Sequence, residues 1–246
     1  MGEVISVISG KGGTGKTTVC AAVATCLAAE GKRVLCVDSD IGLRNLDIAL
    51  GMMELPVVAF TDVLSGSYSV RDATRHPRLE NLYLFTAPVR RAGVSVDSEA
   101  FGRFLRDARE EYDYCLIDAP AGIGSGFQLV TRHADRFLVV ATPEPSSLRD
   151  AGSVAELLEL AGKTDARLVI NRVSPRIFSK MALTVDDIMD DVGLPLIGLI
   201  PEDPDVTLAA MQGEPLIYTT DGGAAQACLR ISRRLRGVHM PLMKLR

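Results

Sequence analysis

The chain has 246 residues, 47% of them hydrophobic and 24% charged, and its formal net charge is −4. A composition this apolar, with so small a net charge, excludes disorder as the main state. No apolar run approaches the ~20 residues that a membrane-spanning helix needs, and the length suits one large domain or two small ones.

Short apolar runs alternate with segments of helical spacing along most of the chain. The runs are rich in Val, Ile and Leu, which predicts strands buried on both faces of a parallel sheet. The predicted strands cover residues 4–9, 33–37, 81–86, 114–117, 137–141, 168–170 and 196–200. The predicted helices cover residues 16–29, 97–111, 146–161, 184–191, 204–211 and 223–236.

This alternation predicts the fold class and the domain organisation. Strands that alternate with helices form three-layer α/β domains, with a mostly parallel sheet, helices on both faces and right-handed crossovers. Residues 52–77 favour only short helices and turns. Since no linker, repeat or low-complexity tract interrupts the pattern, we predict one domain over residues 1–236, followed by a basic tail over residues 237–246.

The charges are unevenly distributed. Residues 226–246 contain six basic residues and no acidic one, so the other 225 residues carry −4 − 6 = −10. The basic residues are Arg230, Arg233, Arg234, Arg236, Lys244 and Arg246. An acidic body argues against a general nucleic-acid-binding surface, and the basic end predicts a contact with an anionic partner.

The cysteines and histidines give little sign of a metal site. Five cysteines contain no C-x-x-C pair, and the three histidines are scattered without ligand spacing. The odd cysteine count and the apolar neighbours of Cys36 and Cys115 indicate reduced, buried thiols in a cytosolic protein.

The most informative segment is the glycine-rich stretch at residues 10–18. It fits the phosphate-loop pattern G-x-x-x-x-G-K-[ST] between a predicted strand and a predicted helix. Glycines let backbone N–H groups surround phosphate oxygens, Lys16 reaches the β- and γ-phosphates, and the Thr17 hydroxyl is offered to Mg²⁺. The candidate phosphate-binding residues are Gly10, Lys11, Gly12, Gly13, Thr14, Gly15, Lys16, Thr17 and Thr18.

A second lysine distinguishes this loop from many others. Lys11 follows the first glycine, where a further cation can neutralise charge that develops in a transition state. The alternative is a solvated surface lysine.

Carboxylates follow two of the predicted strands. Asp38 and Asp40 come at the end of one, and Asp118 follows the apolar run 114–117. Carboxylates at such an edge can orient water or hold the hydration shell of a metal ion. For Asp38 and Asp40 a pair of turn-forming aspartates is the alternative.

Several blocks together resemble the ParA/MinD family of deviant Walker A ATPases, and within it the bacterial MinD branch. Residues 11–18 read K-G-G-T-G-K-T-T, which is the deviant Walker A signature. Residues 38–47 resemble the switch I segment of that branch, and residues 116–123 resemble its Walker B and switch II. Residues 200–203 and 212–215 resemble later segments, so the similarity extends from residue 3 to about residue 215.

The resemblance implies roles for individual residues. Lys11, Lys16 and Asp40 are the implied catalytic residues, with Asp40 positioning the attacking water. Thr17, Asp38 and Asp118 are implied at the Mg²⁺. Adenine contacts fall to Asn171, Arg172, Pro201, Glu202 and Asp203. Without the resemblance, the sequence would indicate only that Asn171 is a capping residue, and it would not distinguish an ATP site from a GTP site.

The resemblance also implies a function. ATP and Mg²⁺ promote a homodimer in which Lys11 contacts phosphates of the other subunit. The dimer binds the inner face of the cell membrane and recruits a division inhibitor of the MinC type, and an activator of the MinE type triggers slow hydrolysis and release. A ParA-type partition ATPase and a flagellar-placement ATPase are the alternatives, and no specific nucleic acid is expected.

The C-terminal end has the pattern of a basic amphipathic helix. Apolar residues recur at spacings of three and four, at Cys228, Ile231, Leu235, Val238, Leu242 and Leu245. This predicts an anionic-membrane contact over residues 231–246, in which the tail from Val238 onward is disordered in the monomer and folds on the membrane only in the ATP state. In the alternative, the first three of these residues pack the last helix on the sheet, because Gly237 and Pro241 interrupt the helix.

Overall fold

The computed structural model describes residues 1–88, 96–178, 180 and 184–243. These residues form one eight-stranded sheet with the strand order β3-β4-β2-β5-β1-β6-β7-β8. The pairs are parallel, apart from the antiparallel pair of β3 and β4 at one edge. The strands are β1 (Glu3–Ile8), β2 (Val34–Asp38), β3 (Thr74–Arg75), β4 (Leu82–Phe85), β5 (Tyr114–Asp118), β6 (Arg136–Ala141), β7 (Ala166–Val173) and β8 (Leu196–Pro201).

Helices cover both faces of the sheet. They are α1 (Lys16–Ala29), α2 (Leu46–Ala49), α3 (Phe60–Leu64), α4 (Ser98–Glu111), α5 (Ser125–His133), α6 (Pro145–Leu160), α7 (Pro175–Phe178), α8 (Val185–Val192), α9 (Pro204–Gln212), α10 (Leu216–Thr219) and α11 (Gly223–Leu235). A turn of 3₁₀ helix lies at Val70–Asp72. No helix in the described part of the chain is long and apolar enough to cross a membrane.

Two apolar layers fill the space between the sheet and its helices. Alternate residues of β1 feed both layers: Val4 and Ile8 join the layer under α4 and α6, whereas Ile5 and Val7 join the layer under α1 and α11. Because β1 and its neighbours are buried on both faces, their sequences are continuous apolar runs. This is the three-layer α/β architecture that the sequence predicts, so the predicted fold class is confirmed.

Each predicted strand matches an observed strand, but four helices were not predicted: α2, α5, α7 and α10. Among these, α5 begins at Ser125, directly after the glycine-containing segment 120–124. A glycine near its start, Gly126, obscured the helical pattern. Gly126 is required by packing, since a Cβ there would lie 2.3 Å from Cγ of Pro120. The short edge strand β3 was also missed.

The last helix uses its apolar face to pack on the domain. Cys228, Ile231 and Leu235 are buried against α1 and β8, which is the second of the two readings considered for the amphipathic pattern. Residues 237–243 follow as an irregular segment outside the sheet. They contact the domain through Pro241 and Met243, which differs from the disorder expected for the tail of the monomer. The predicted membrane contacts at Lys244, Leu245 and Arg246 lie outside the described residues.

Candidate functional site

The loop between β1 and α1 lies at the carboxyl edge of the sheet. Gly13 and Gly15 have φ of 83° and 84°, a left-handed conformation that favours glycine. At Gly15 the packing is also tight, because a Cβ would lie 2.3 Å from Nδ2 of Asn171. The Ser9 hydroxyl donates to the Lys11 carbonyl at 2.9 Å. The loop is therefore turned both by its own glycines and by β7.

Lys16 and Thr17 converge on one carboxylate. Nζ of Lys16 lies 2.7 Å from Oδ1 of Asp118, and the Thr17 hydroxyl donates to Oδ2 of Asp118 at 2.6 Å. Lys16 is 7% exposed and Asp118 only 1%. Register explains the meeting, since Asp118 ends β5 directly beside Val7 of β1. The sequence placed these three residues in one site, and the structure brings them together.

Burial sets the electrostatics of Asp118. Loss of solvent raises the pKa of its carboxyl, and the nearby Asp40 adds to that shift, whereas the Lys16 ammonium and the Thr17 hydroxyl oppose it. A buried ion pair of this kind is sensitive to the loss of either partner, because the remaining charge is uncompensated.

Asp38 holds the following loop in place. Its two carboxylate oxygens accept backbone N–H groups from Asp40 at 2.9 Å and from Asn45 and Leu46 at 3.1 Å each. Burial, with a further contribution from Asp118, raises the pKa of Asp38 to about 6, while these N–H groups oppose the shift. Asp40 itself lies half-buried on the loop that Asp38 anchors.

Lys11 is at the rim of the site rather than inside it. Its Nζ lies 3.2 Å from Oε2 of Glu144 and 3.0 Å from the Ser146 hydroxyl, and its side chain is 32% exposed. No local motif in the sequence points to Glu144 or Ser146 as partners of Lys11. The Pro-Glu-Pro run at 143–145 opens α6 beside the phosphate loop, and this juxtaposition required the tertiary structure.

A cavity of about 550 Å³ lies beside Lys11 on the same edge. It is lined by Lys11, Thr14, Thr142, Glu144, Arg172 and Glu202, among others. Within the part of the chain that the structure describes, the hydroxyls of Thr14 and Thr142 are buried without a hydrogen-bond partner. These hydroxyls and the Lys11 ammonium give the cavity a polar wall.

A smaller pocket of about 290 Å³ lies on the other side of the loop. Asn171, Arg172, Pro201, Glu202 and Asp203 line it, so the five residues predicted for the base share one pocket. Val19, Ala22, Leu216 and Cys228 supply apolar walls. The Asn171 amide donates to the Thr14 carbonyl at 2.8 Å, which ties the pocket to the loop. Arg172, with φ of 57°, borders both cavities.

The donor set suits a cation held mainly by phosphate and water. In residues 1–88, 96–178, 180 and 184–243, no three His, Cys, Asp or Glu residues are grouped to bind a metal. The Thr17 hydroxyl and the Asp118 carboxylate lie together at the start of α1, as a site for phosphate-bound Mg²⁺ requires.

A glycine-turned loop after a central strand, with a buried lysine and a threonine hydroxyl opening the next helix, defines a P-loop nucleotide-binding protein. The chain belongs to the CobQ/CobB/MinD/ParA nucleotide binding domain family, whose model matches residues 5–216. The resemblance to the ParA/MinD family is thereby confirmed.

Individual relatives cover almost the whole chain. The septum site-determining protein MinD of Synechocystis sp. is 36% identical over 249 residues, which are 99% of this chain and 92% of that protein. In the MinC:MinD cell division protein complex of Aquifex aeolicus, the matching chain has a TM-score of 0.91 and 39% identity, covering 98% of both chains. MinD of Pyrococcus horikoshii complexed with Mg-ADP has a TM-score of 0.83 and 29% identity, covering 96% of both chains.

Proposed function

We propose that this chain is a Mg²⁺-dependent ATPase that dimerises with ATP, associates with an anionic membrane and positions the division septum by recruiting a MinC-type inhibitor. The observation that carries the proposal is that two lysines of one loop occupy different environments. Lys16 is buried against Asp118, whereas Lys11 lies at the open rim on Glu144 and Ser146.

The residues of the loop bind and orient the triphosphate. Lys16 and the backbone N–H groups of the loop hold its β- and γ-phosphates, and Thr17 with Asp118 keeps the metal shell in place. Bound Mg²⁺ neutralises charge on the phosphate oxygens. Asp40 orients the attacking water, and Asp38 positions Asp40 through the loop backbone. Catalysis is therefore positioning and electrostatic stabilisation, with no covalent intermediate.

Lys11 acts between subunits. In the free chain its ammonium is held at the rim by a half-exposed ion pair, which costs little to exchange. Face-to-face pairing of two loops would let each Lys11 reach the phosphates bound by the other subunit, and hydrolysis would remove that attraction. Hydrolysis would therefore determine when the dimer separates and leaves the membrane.

The partners follow from the relatives. The Aquifex aeolicus relative is named in a complex with MinC, which supports an inhibitor of that type here. An activator of the MinE type would trigger hydrolysis, and residues 237–246 would contact the membrane. The negative body, at −10 for residues 1–225, disfavours a ParA-type partition ATPase, which needs a basic surface for DNA.

The experiment compares Lys11→Ala with Lys32→Ala. Lys32 precedes β2 and therefore lies at the amino ends of the strands, away from the phosphate loop. We expect Lys11→Ala to bind ADP normally, because Lys16 is intact, but to remain monomeric with ATP and to lose ATP turnover. Size-exclusion chromatography with ATP or ADP and a phosphate-release assay measure these effects. Lys32→Ala should behave like the unsubstituted chain.

Dimerisation and normal turnover of Lys11→Ala would contradict the assigned role of this lysine. In the same series, the unsubstituted chain should sediment with anionic vesicles in ATP and not in ADP. Salt-sensitive DNA binding in ATP, without vesicle binding, would favour the partition alternative.

A further inference from the structure

The chain reverses direction where α11 ends. The Val238 amide donates to the Arg233 carbonyl and the Gly237 amide to the Arg234 carbonyl, both at 3.0 Å, and Gly237 has φ of 77°. This pair of bonds is a Schellman motif, which sends the following residues back along their own helix. The tail therefore starts in the direction of the N-terminal half of α11.

A contact two turns back along the helix holds the returning segment. Nη1 of Arg230 donates to the Pro241 carbonyl at 3.1 Å. Met243 packs against the apolar layer under α1 and α11. Nε of Arg230 is buried and, within the described ranges, has no hydrogen-bond partner, so the bond from Nη1 to Pro241 is the contact that this guanidinium makes with the tail.

The returning segment forms one wall of a cavity of about 850 Å³. Pro241, Leu242 and Met243 line it on one side, and Pro201, Glu202 and Asp203 line it on the other. The latter three residues also line the candidate base pocket. Asp203 links them to α11, because its Oδ2 accepts the Ala224 amide at 2.7 Å.

We propose that the surface formed by Arg230 and the 201–203 loop is an intramolecular docking site for the chain's own tail, with the Arg230–Pro241 bond as its latch. The latch holds Leu242 and Met243 on the domain and away from other surfaces. This docking site rests on the proposed function in one respect only, which is the assignment of the tail as the membrane-binding segment. In that function, the docked tail is the membrane-inactive state of the monomer.

The test compares Arg230→Ala with Arg234→Ala. The control removes the same charge from the same helix, but the Arg234 side chain donates to the Ile197 carbonyl rather than to a carbonyl of the tail. Backbone ¹⁵N heteronuclear NOE values at Leu242 and Met243 report tail mobility, and sedimentation with phosphatidylcholine–phosphatidylglycerol vesicles reports membrane binding without nucleotide. Lipid-free ATP turnover is measured alongside.

In Arg230→Ala we expect lower NOE values at Leu242 and Met243, roughly tenfold stronger nucleotide-independent vesicle binding and unchanged lipid-free turnover. Losing a positive charge would by itself weaken binding to an anionic vesicle, so an increase must come from release of the tail. Unchanged NOE values would overturn the docking site. Lower NOE values with unchanged vesicle binding would confirm the docking site and overturn the membrane role of the tail.

Discussion

The phosphate loop (residues 9–18) and the C-terminal segment (residues 223–243) both combine basic residues with a glycine in the left-handed region, yet they use their charges differently. In the loop, Lys16 is buried and pairs with the equally buried Asp118. In the C-terminal segment, Arg233 and Arg236 remain partly exposed and share the carboxylate of Glu30. The first arrangement concentrates charge for a ligand, and the second attaches a helix to the domain.

This difference reduces the number of basic residues that are available for the predicted membrane contact. Four of the six basic residues near the C-terminus have partners within the chain: Arg230, Arg233, Arg234 and Arg236. At about 1 kcal/mol for each basic residue near an anionic surface, the free attraction is smaller than the sequence count suggests. Two tails in a dimer would therefore be needed for firm binding.

The largest effect should come from breaking the buried pair of the loop. Lys16→Ala leaves the Asp118 carboxylate buried without its cation, and we expect the free energy of unfolding to fall by about 3 to 5 kcal/mol. Arg233→Ala, which breaks a half-exposed pair of the C-terminal segment, should cost about 1 kcal/mol or less. Urea unfolding followed by circular dichroism measures both.

A second substitution sharpens this prediction. Adding Asp118→Asn to Lys16→Ala removes the uncompensated charge, so most of the lost stability should return while nucleotide binding stays lost. If the double variant were as unstable as Lys16→Ala, packing rather than charge would explain the loss.

Asp38, which ends β2 beside the phosphate loop, should also make stability depend on pH in an unusual direction. The pKa of Asp38 is about 6 in the folded protein, whereas the ordinary value, which applies to the unfolded chain, is 3.8. Between these values the folded state binds the proton more tightly, so stability falls as the pH rises. Relative to Asp38→Asn, the unsubstituted chain should lose about 2 kcal/mol between pH 4 and pH 7, as measured by urea unfolding at several pH values.

Asp72, in the capping box of the 3₁₀ turn, should make stability change with pH in the opposite direction. Hydrogen bonds from the Ser69 amide and hydroxyl lower the pKa of Asp72. Relative to Asp72→Asn, the unsubstituted chain should therefore gain stability as the pH rises from acid values. If both pairs of variants gave the same slope, burial would not be the cause of the Asp38 shift.

The smallest predicted difference compares one glycine from each region. Gly15 and Gly237 both have positive φ, but only Gly15 faces a neighbour, Nδ2 of Asn171. Gly15→Ala should cost about 2 kcal/mol and weaken nucleotide binding, whereas Gly237→Ala should cost about 1 kcal/mol through backbone strain alone. Thermal unfolding and nucleotide titration measure these effects. Equal costs would mean that Asn171 moves aside freely.

The sequence by itself determined the features that depend on short segments. Residues 10–18 were enough to predict the loop, because turn geometry, the helix start and the lysine spacing are all local. The apolar runs were enough to predict the sheet and its class, since strands buried on both faces must be apolar throughout. Asp118 could be placed in the site because parallel strands present their carboxyl ends at one edge.

Only the tertiary structure decided the features that depend on distant partners. Glu144 and Ser146 meet Lys11 across more than 130 residues of sequence, and Glu30 meets Arg233 across 203. The stripe on α11 fits a membrane helix and a core helix equally well, because both require the same apolar spacing. Burial against α1 and β8 decided between them for Cys228, Ile231 and Leu235, since apolar surface packs wherever the fold brings another apolar face to it.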